Sequence, residues 1–322
     1  MPYRILSIDG GGIRGLIPAI VLRELEGLSG RRTHELFDLV VGTSTGALLG
    51  LGLTTPDPEG GARYAADDLV SLYRDSGPDI FSRSLTYRAR SVNGLTNAKY
   101  PASGLERTLE RYFGDARLAD LLGDVLVPAY ETELREPFLL RSRRARSSAS
   151  YDFALRDAAR AATAAPTFFQ AARVSAADGR RWSLIDGGVF ANNPTMVGIV
   201  EAIAADDADD VLSVSLGTGD LTRPLRYERI RSWGLLRWAR PLIDVVFDAG
   251  MSTVDFQAQQ LARAAGRPEG HVRFDVRLSG VSDDIDDAGA ANLRALEELA
   301  DRLLQERAGD LERLAELLDR QG

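Results

Sequence analysis

The chain has 322 residues, 44% of them hydrophobic and 27% charged, with a formal net charge of −8 at pH 7. Enough chain is present to bury a large core, and an acidic balance with no strong basic stripe argues against nucleic acid as a partner. With no cysteine and only two histidines, His34 and His271, disulfides, thiol catalysis and thiolate metal sites are excluded, and an ordinary zinc site would need both imidazoles from unrelated segments.

Taken in chain order, Tyr3-Arg4-Ile5-Leu6-Ser7-Ile8 runs straight into a glycine motif, with no basic segment followed by an apolar one. The expectation is a fold that starts almost at Met1, no secretory leader, and a cytoplasmic protein. No apolar run approaches the ~20 residues of a membrane-spanning helix. Leu6–Ile8, Leu39–Val41, Trp182–Ile185 and Val211–Leu216 read as buried strands. Residues 15–27, 44–53, 61–76, 103–112, 153–163 and 194–205 read as helices. Such alternation predicts an α/β fold with a largely parallel sheet, whose ligands bind beyond the carboxyl ends of the strands. The last third is helical. Leu293, Leu296, Ala300, Leu303 and Leu304 form one apolar face, and Leu311, Leu314, Leu317 and Leu318 another. Both read as helices docked on the core.

Three glycine motifs each follow a strand. Asp9-Gly10-Gly11-Gly12-Ile13-Arg14-Gly15 follows the first. Consecutive glycines let the backbone turn sharply, so amides can converge on an anion or oxyanion at a helix start. The same residues fit G-x-G-x-x-G, but the acidic residue expected after the second strand is missing, and no Walker lysine follows. Gly42-Thr43-Ser44-Thr45-Gly46 stands between a strand and a helix, the setting in which G-x-S-x-G exposes a nucleophilic serine; a helix-capping serine is the plainer alternative. Asp186-Gly187-Gly188 follows a third strand. Alone it reads as a turn; beside a serine elbow, Asp186 is a candidate base.

These motifs, with Ser76-Gly77-Pro78-Asp79-Ile80-Phe81, Ala164-Ala165-Pro166-Thr167-Phe168-Phe169, Leu216-Gly217-Thr218-Gly219 and Trp233-Gly234-Leu235-Leu236-Arg237-Trp238, resemble the patatin-like phospholipases over nearly the whole chain. The chain is similar both to plant tuber patatins and to bacterial patatin-type effectors of nucleotide-signalled antiphage defence. The resemblance implies a three-layer fold, with a central, mostly parallel sheet between helices. It implies one domain over residues 1–322, with a catalytic core at about 3–219 and a helix-rich part at about 226–322 packed on it. It implies a lipid acyl hydrolase, a phospholipase A or nonspecific esterase, working without metal or cofactor through an acyl-enzyme. Ser44 takes the role of nucleophile and Asp186 of base, and the amides of Gly10, Gly11 and Gly12 become the oxyanion hole. Arg14, Gly42, Gly46, Gly187 and Gly188 support them. Arg14 is open to two readings: a structural ion pair, or a group that orients the loop or meets an anionic headgroup. The expected partner is a phospholipid or other acyl lipid, with peripheral membrane contact.

A rival catalytic set is the triad Ser44–Asp186–His271, whose chain order fits an α/β-hydrolase. Against it, His271 lies in a strand-like run and Ser44 follows only the second strand. His34 reads as structural. The apolar stripe of Trp233, Leu235, Leu236, Trp238, Leu242 and Ile243 reads as core or pocket wall before it reads as a membrane contact. The run Arg141–Arg146 reads as a solvated loop before a lipid-binding patch. A storage role, or an effector silent until a nucleotide binds, stays open.

Overall fold

The computed structural model describes residues 2–83, 87, 97–206 and 208–319; of these, the side chains of 206, 236, 239 and 240 are outside the description. Eight strands form one sheet: β1 (Tyr3–Ile8), β2 (Leu39–Gly42), β3 (Asp124–Glu131), β4 (Glu136–Arg141), β5 (Ala172–Ser175), β6 (Arg181–Asp186), β7 (Val211–Leu216) and β8 (His271–Phe274). The order is β5-β6-β3-β2-β1-β7-β8, with β4 also paired to β3. Strands β3, β2, β1, β7 and β8 run parallel, while β4, β5 and β6 add an antiparallel arm. The expected mixed α/β fold with a mostly parallel sheet is what the chain adopts.

The parallel centre is buried on both faces. Ile5, Leu6 and Ile8 of β1 are all inaccessible, as a continuous apolar run in a covered parallel sheet should be. Nine helices of eight residues or more stand among the described residues: α1 (Leu16–Ser29), α2 (Thr45–Thr54), α3 (Ala66–Ile80), α4 (Ser103–Phe113), α5 (Leu155–Ala162), α6 (Thr195–Asp206), α7 (Leu235–Ala264), α8 (Ala290–Glu306) and α9 (Ala308–Asp319). Helix α2 is buried along its whole length, which explains why its sequence is apolar all round. Helices α8 and α9 pack on α1, and their Leu296 and Leu318 belong to the same buried cluster as Leu6 and Leu22. Among the described residues no helix is long and apolar enough to cross a membrane.

Three expectations need correction. The helix expected over 61–76 starts only at Ala66, because the Asp57 carboxylate accepts the Glu59 and Gly61 amides and holds a turn instead. The arginine-rich run is not a solvated loop. It closes β4 and forms a short helix, Ser142–Ser147, in which Arg143 and Arg146 both pair with Asp124 and Arg141 pairs with Glu201. The stripe around Trp233 is not packed away: Leu235 is 86% exposed and Leu242 51%. The Leu236 side chain falls outside the described residues.

The antiparallel arm has a geometric consequence. Strand β2 runs parallel to β3 and ends at its first residues (Val41↔Leu126), while β6 runs antiparallel and ends at Ala129↔Asp186. The carboxyl ends of β2 and β6 therefore point toward each other along β3.

Candidate active site

Ser44 lies two residues beyond β2, at the start of α2, with φ 54° and ψ −117°. Positive φ costs a non-glycine residue energy and persists only where its surroundings enforce it. Two glycines do so here. A Cβ on Gly42 would lie 2.2 Å from the Gly46 carbonyl oxygen, and one on Gly46 would lie 2.2 Å from the Ile8 carbonyl oxygen. The turn closes on itself and on the end of β1, which forces the Ser44 side chain outward. Among the described residues it caps no helix amide, so the plain capping reading fails.

Asp186 is the last residue of β6 and is 1% exposed. Its Oδ1 accepts the Gly188 N–H at 2.8 Å, and the nearby Ser44 hydroxyl, a potential second donor, also favours the charged carboxylate. Burial pushes this carboxyl up to about 7, against the pull of those two donors. Gly187 has no room for a side chain, since a Cβ would meet the Pro128 carbonyl oxygen at 2.4 Å. The Thr43 hydroxyl donates to the Ala191 carbonyl at 2.6 Å, which ties the serine turn directly to the segment after Asp186.

The triglycine loop is held by its carbonyls. Gly10 O accepts the Thr218 hydroxyl at 2.7 Å and Asn192 Nδ2 at 3.4 Å. Gly11 O accepts the Arg14 N–H at 3.2 Å and Arg14 Nε at 3.3 Å. In a trans peptide the next N–H points away from the held carbonyl, so these anchors orient the amides of Gly11 and Gly12. Among the described residues neither amide has a protein acceptor. Gly10 differs from expectation: its N–H donates to the Asn192 carbonyl at 2.9 Å, so what it offers the site is its lack of a side chain beside Asn192 and Ser44. Arg14 is 4% exposed, and burial lowers its pKa while Asp248 and Asp275 resist the shift. It forms no ion pair within contact distance among the described residues; it grips the loop, and its Nη1 is left without a partner. Beneath the loop, buried Asp9 pairs with Arg273 at 2.7 Å. Burial opposes the Arg273 charge, but Asp9 and Asp275 outweigh it and raise its pKa.

Ser44, Asp186, Asn192, Arg14 and the triglycine loop open on one cavity. Gly10, Gly11, Gly12, Arg14, Ser44, Asp186 and Asn192 form its polar end. Apart from Thr45, Tyr73 and Thr163, the rest is apolar, with Leu48, Leu72, Ile80, Phe81, Leu105, Phe168, Phe169 and Phe247 among it. Two motifs noted in the sequence without a role, Ser76–Phe81 and Ala164–Phe169, thereby become wall segments, and Ala164 O also accepts the Asp186 N–H at 3.2 Å. Asn192 and Thr218 were missed as functional residues; their only sequence signal was proximity to glycine motifs. Chemically, the arrangement joins a half-buried hydroxyl, a buried carboxylate with raised pKa, and oriented amides at the end of a largely apolar slot.

His271 does not join them. It begins β8, level with Ser213, three residues before the carboxyl end of the strand, roughly 10 Å along it. Its Nδ1 shares a hydrogen bond with Ser213 Oγ at 2.8 Å and its Nε2 with Asp255 Oδ1 at 2.9 Å. Among the described residues no cluster of three or more side chains could hold a metal ion.

The model of the family described as patatin-like phospholipase matches residues 6–199, which span all three motifs. Patatin-like protein 2 of Arabidopsis thaliana is 33% identical over 94% of this chain and 82% of its own length. Patatin-like protein 1 of Oryza sativa subsp. indica is 32% identical over 94% and 81%. The crystal structure of VipD from Legionella pneumophila aligns over 95% of this chain and 67% of that one, at 12% identity and a TM-score of 0.41, too loosely to add to the case. With more than half of its length matched by the family model and a relative above 30% identity along nearly all of it, the chain belongs to the patatin-like phospholipase family.

Proposed function

We propose that this protein is a lipid acyl hydrolase that cleaves fatty-acyl esters through a Ser44–Asp186 dyad. The observation that carries the reading is Ser44 held at positive φ against a buried carboxylate, at the polar end of an apolar cavity. In this reading an acyl chain lies along the apolar wall and brings its ester carbonyl to Ser44. Asp186 accepts the hydroxyl proton as Ser44 Oγ attacks the carbonyl carbon, and the Gly11 and Gly12 amides receive the developing oxyanion. The tetrahedral species collapses, the proton passes from Asp186 to the leaving alcohol, and an acyl-enzyme remains. Water then attacks as Asp186 takes its proton; the fatty acid leaves and Ser44 recovers a proton. A carboxylate of ordinary pKa is a poor base for an alcohol. Desolvation in this site raises Asp186 toward neutrality and makes it a better one. Arg14 adds a buried positive charge close to the same oxyanion. A storage protein without activity would have no use for the strained serine.

The test is release of p-nitrophenol from short- and medium-chain esters, with labelling by a fluorophosphonate. Wild type should turn over and label. Ser44→Ala should do neither, and Asp186→Asn should lose about 10³-fold or more in turnover. Strong labelling of Ser44→Ala would sink the assignment.

A further inference from the structure

The acidic balance of the whole chain conceals a local reversal. Between Arg223 and Val246 the sequence carries six arginines (223, 226, 229, 231, 237 and 240) and two acids, Glu228 and Asp244, a net +4 in a chain of net −8. Arg226, Arg229, Arg231 and Arg237 are exposed, and among the described residues they form no ion pair. Arg223 differs, being paired with Asp283 at 2.7 Å. Large apolar side chains are exposed in the same stretch: Leu225 at 41%, Tyr227 at 68%, Leu235 and Leu242. Half-buried Trp233 and Trp238 meet edge to face at 5.4 Å. On α7, Leu235, Leu242 and Val246 recur at i, i+7 and i+11 and so share one face of the helix.

This surface continues into the catalytic cavity. Phe247, one residue beyond exposed Val246, lines that cavity. Leu225 and Val245 line an adjoining recess that shares Phe168 and Ile285 with it. A water-facing apolar stripe is costly for a free protein. Arginines beside leucines and tryptophans, at the mouth of an apolar slot, match the negative potential and greasy boundary of an anionic bilayer. A protein partner would need a shaped apolar pocket; a bilayer needs only the charge and the stripe.

We propose that residues 223–246 dock the protein on membranes that contain anionic phospholipid, with the catalytic cavity facing the lipid. The proposal builds on the acyl-hydrolase reading of the cavity. The test is sedimentation of the Ser44→Ala chain, which leaves vesicles intact, with phosphatidylcholine vesicles alone or mixed with phosphatidylglycerol. Binding should require phosphatidylglycerol and weaken when salt rises from about 0.1 M to about 1 M, as screening shortens from about 10 Å to about 3 Å. Replacing three arginines (Arg226→Gln, Arg229→Gln, Arg231→Gln) should weaken binding about 10²-fold, at about fivefold for each. Leu235→Ser with Leu242→Ser should weaken it about tenfold through lost apolar contact. With Ser44 restored, both variants should hydrolyse a soluble butyrate ester within about twofold of wild type, which also shows that they are folded. Equal binding to neutral and anionic vesicles, or unchanged binding by the arginine variant, overturns the proposal. Binding to anionic vesicles by a chain that hydrolyses no ester would overturn the hydrolase reading and leave the docking surface standing.

Discussion

Among the described residues two serine–acid constellations stand in contrast, and the one with the more familiar composition is the one packed away inside the sheet. Ser213, His271 and Asp255 are joined by hydrogen bonds at 2.8 and 2.9 Å. Yet Ser213 is 1% exposed, in the middle of β7, where no substrate carbonyl can reach it. Ser44 has no imidazole, but it stands on a forced turn and lines a cavity together with a desolvated carboxylate. On the proposed reading, catalytic competence depends on where the hydroxyl is placed more than on which groups accompany it.

The sharpest way to break this comparison is to disturb placement without touching chemistry. Gly46→Ala leaves Ser44 and Asp186 in place but drives a Cβ to 2.2 Å of the Ile8 carbonyl oxygen. Turnover of soluble esters should fall by about 10²-fold or more, since an ångström of misplacement costs that much. Retention of wild-type turnover in this variant would show that the turn need not be so tight.

The chemistry was easier to read in the sequence than the geometry. Glycine doublets and triplets announce sharp turns because only glycine tolerates them, so Gly42, Gly46 and Gly10–Gly12 marked the site, and the apolar runs marked β1, β2 and β7. The antiparallel arm was not read. Strand β3 is interrupted by Pro128 and ends in charged residues, and nothing local tells whether β6 runs parallel or antiparallel beside it. That direction is what brings Asp186 to Ser44. Thr218 and Arg273 reach the loop from 208 and 264 residues away, distances at which a single sequence carries no pairing signal. The exposed stripe on α7 failed for a related reason: periodicity reveals an apolar face but not what covers it.

A second contrast concerns charge. Asp186 should keep its proton in the native state up to about 7, so turnover should climb about tenfold per pH unit below that value and level off above it. The same shift costs stability. The unfolded chain loses this proton near pH 4, and the native state holds it longer, so stability falls as pH rises from about 4 to about 7 and the full cost persists above. Asp186→Asn removes the cost. It should be the more stable protein at pH 8 by on the order of 4 kcal/mol, with the gain vanishing near pH 4. Thermal unfolding at the two pH values measures it. A less stable variant at pH 8 would mean that the carboxylate is not desolvated.

The smallest effect belongs to the buried constellation. Both ring nitrogens of His271 are engaged, one by Ser213 on β7 and one by Asp255 on α7, so the imidazole bolts the last strand to the helix that walls the cavity. His271→Gln can satisfy one partner at a time and leaves a buried polar group short of a bond. That should cost about 1–3 kcal/mol of stability, read by urea unfolding, while turnover of soluble esters at low temperature stays within about twofold of wild type. Ser213→Ala should follow the same pattern at about half the size, because the imidazole keeps its other hydrogen bond, to Asp255. A folded His271→Gln protein with turnover down by a factor of about 10² would restore the triad, since loss of an imidazole base has that signature and loss of a bolt between β8 and α7 does not.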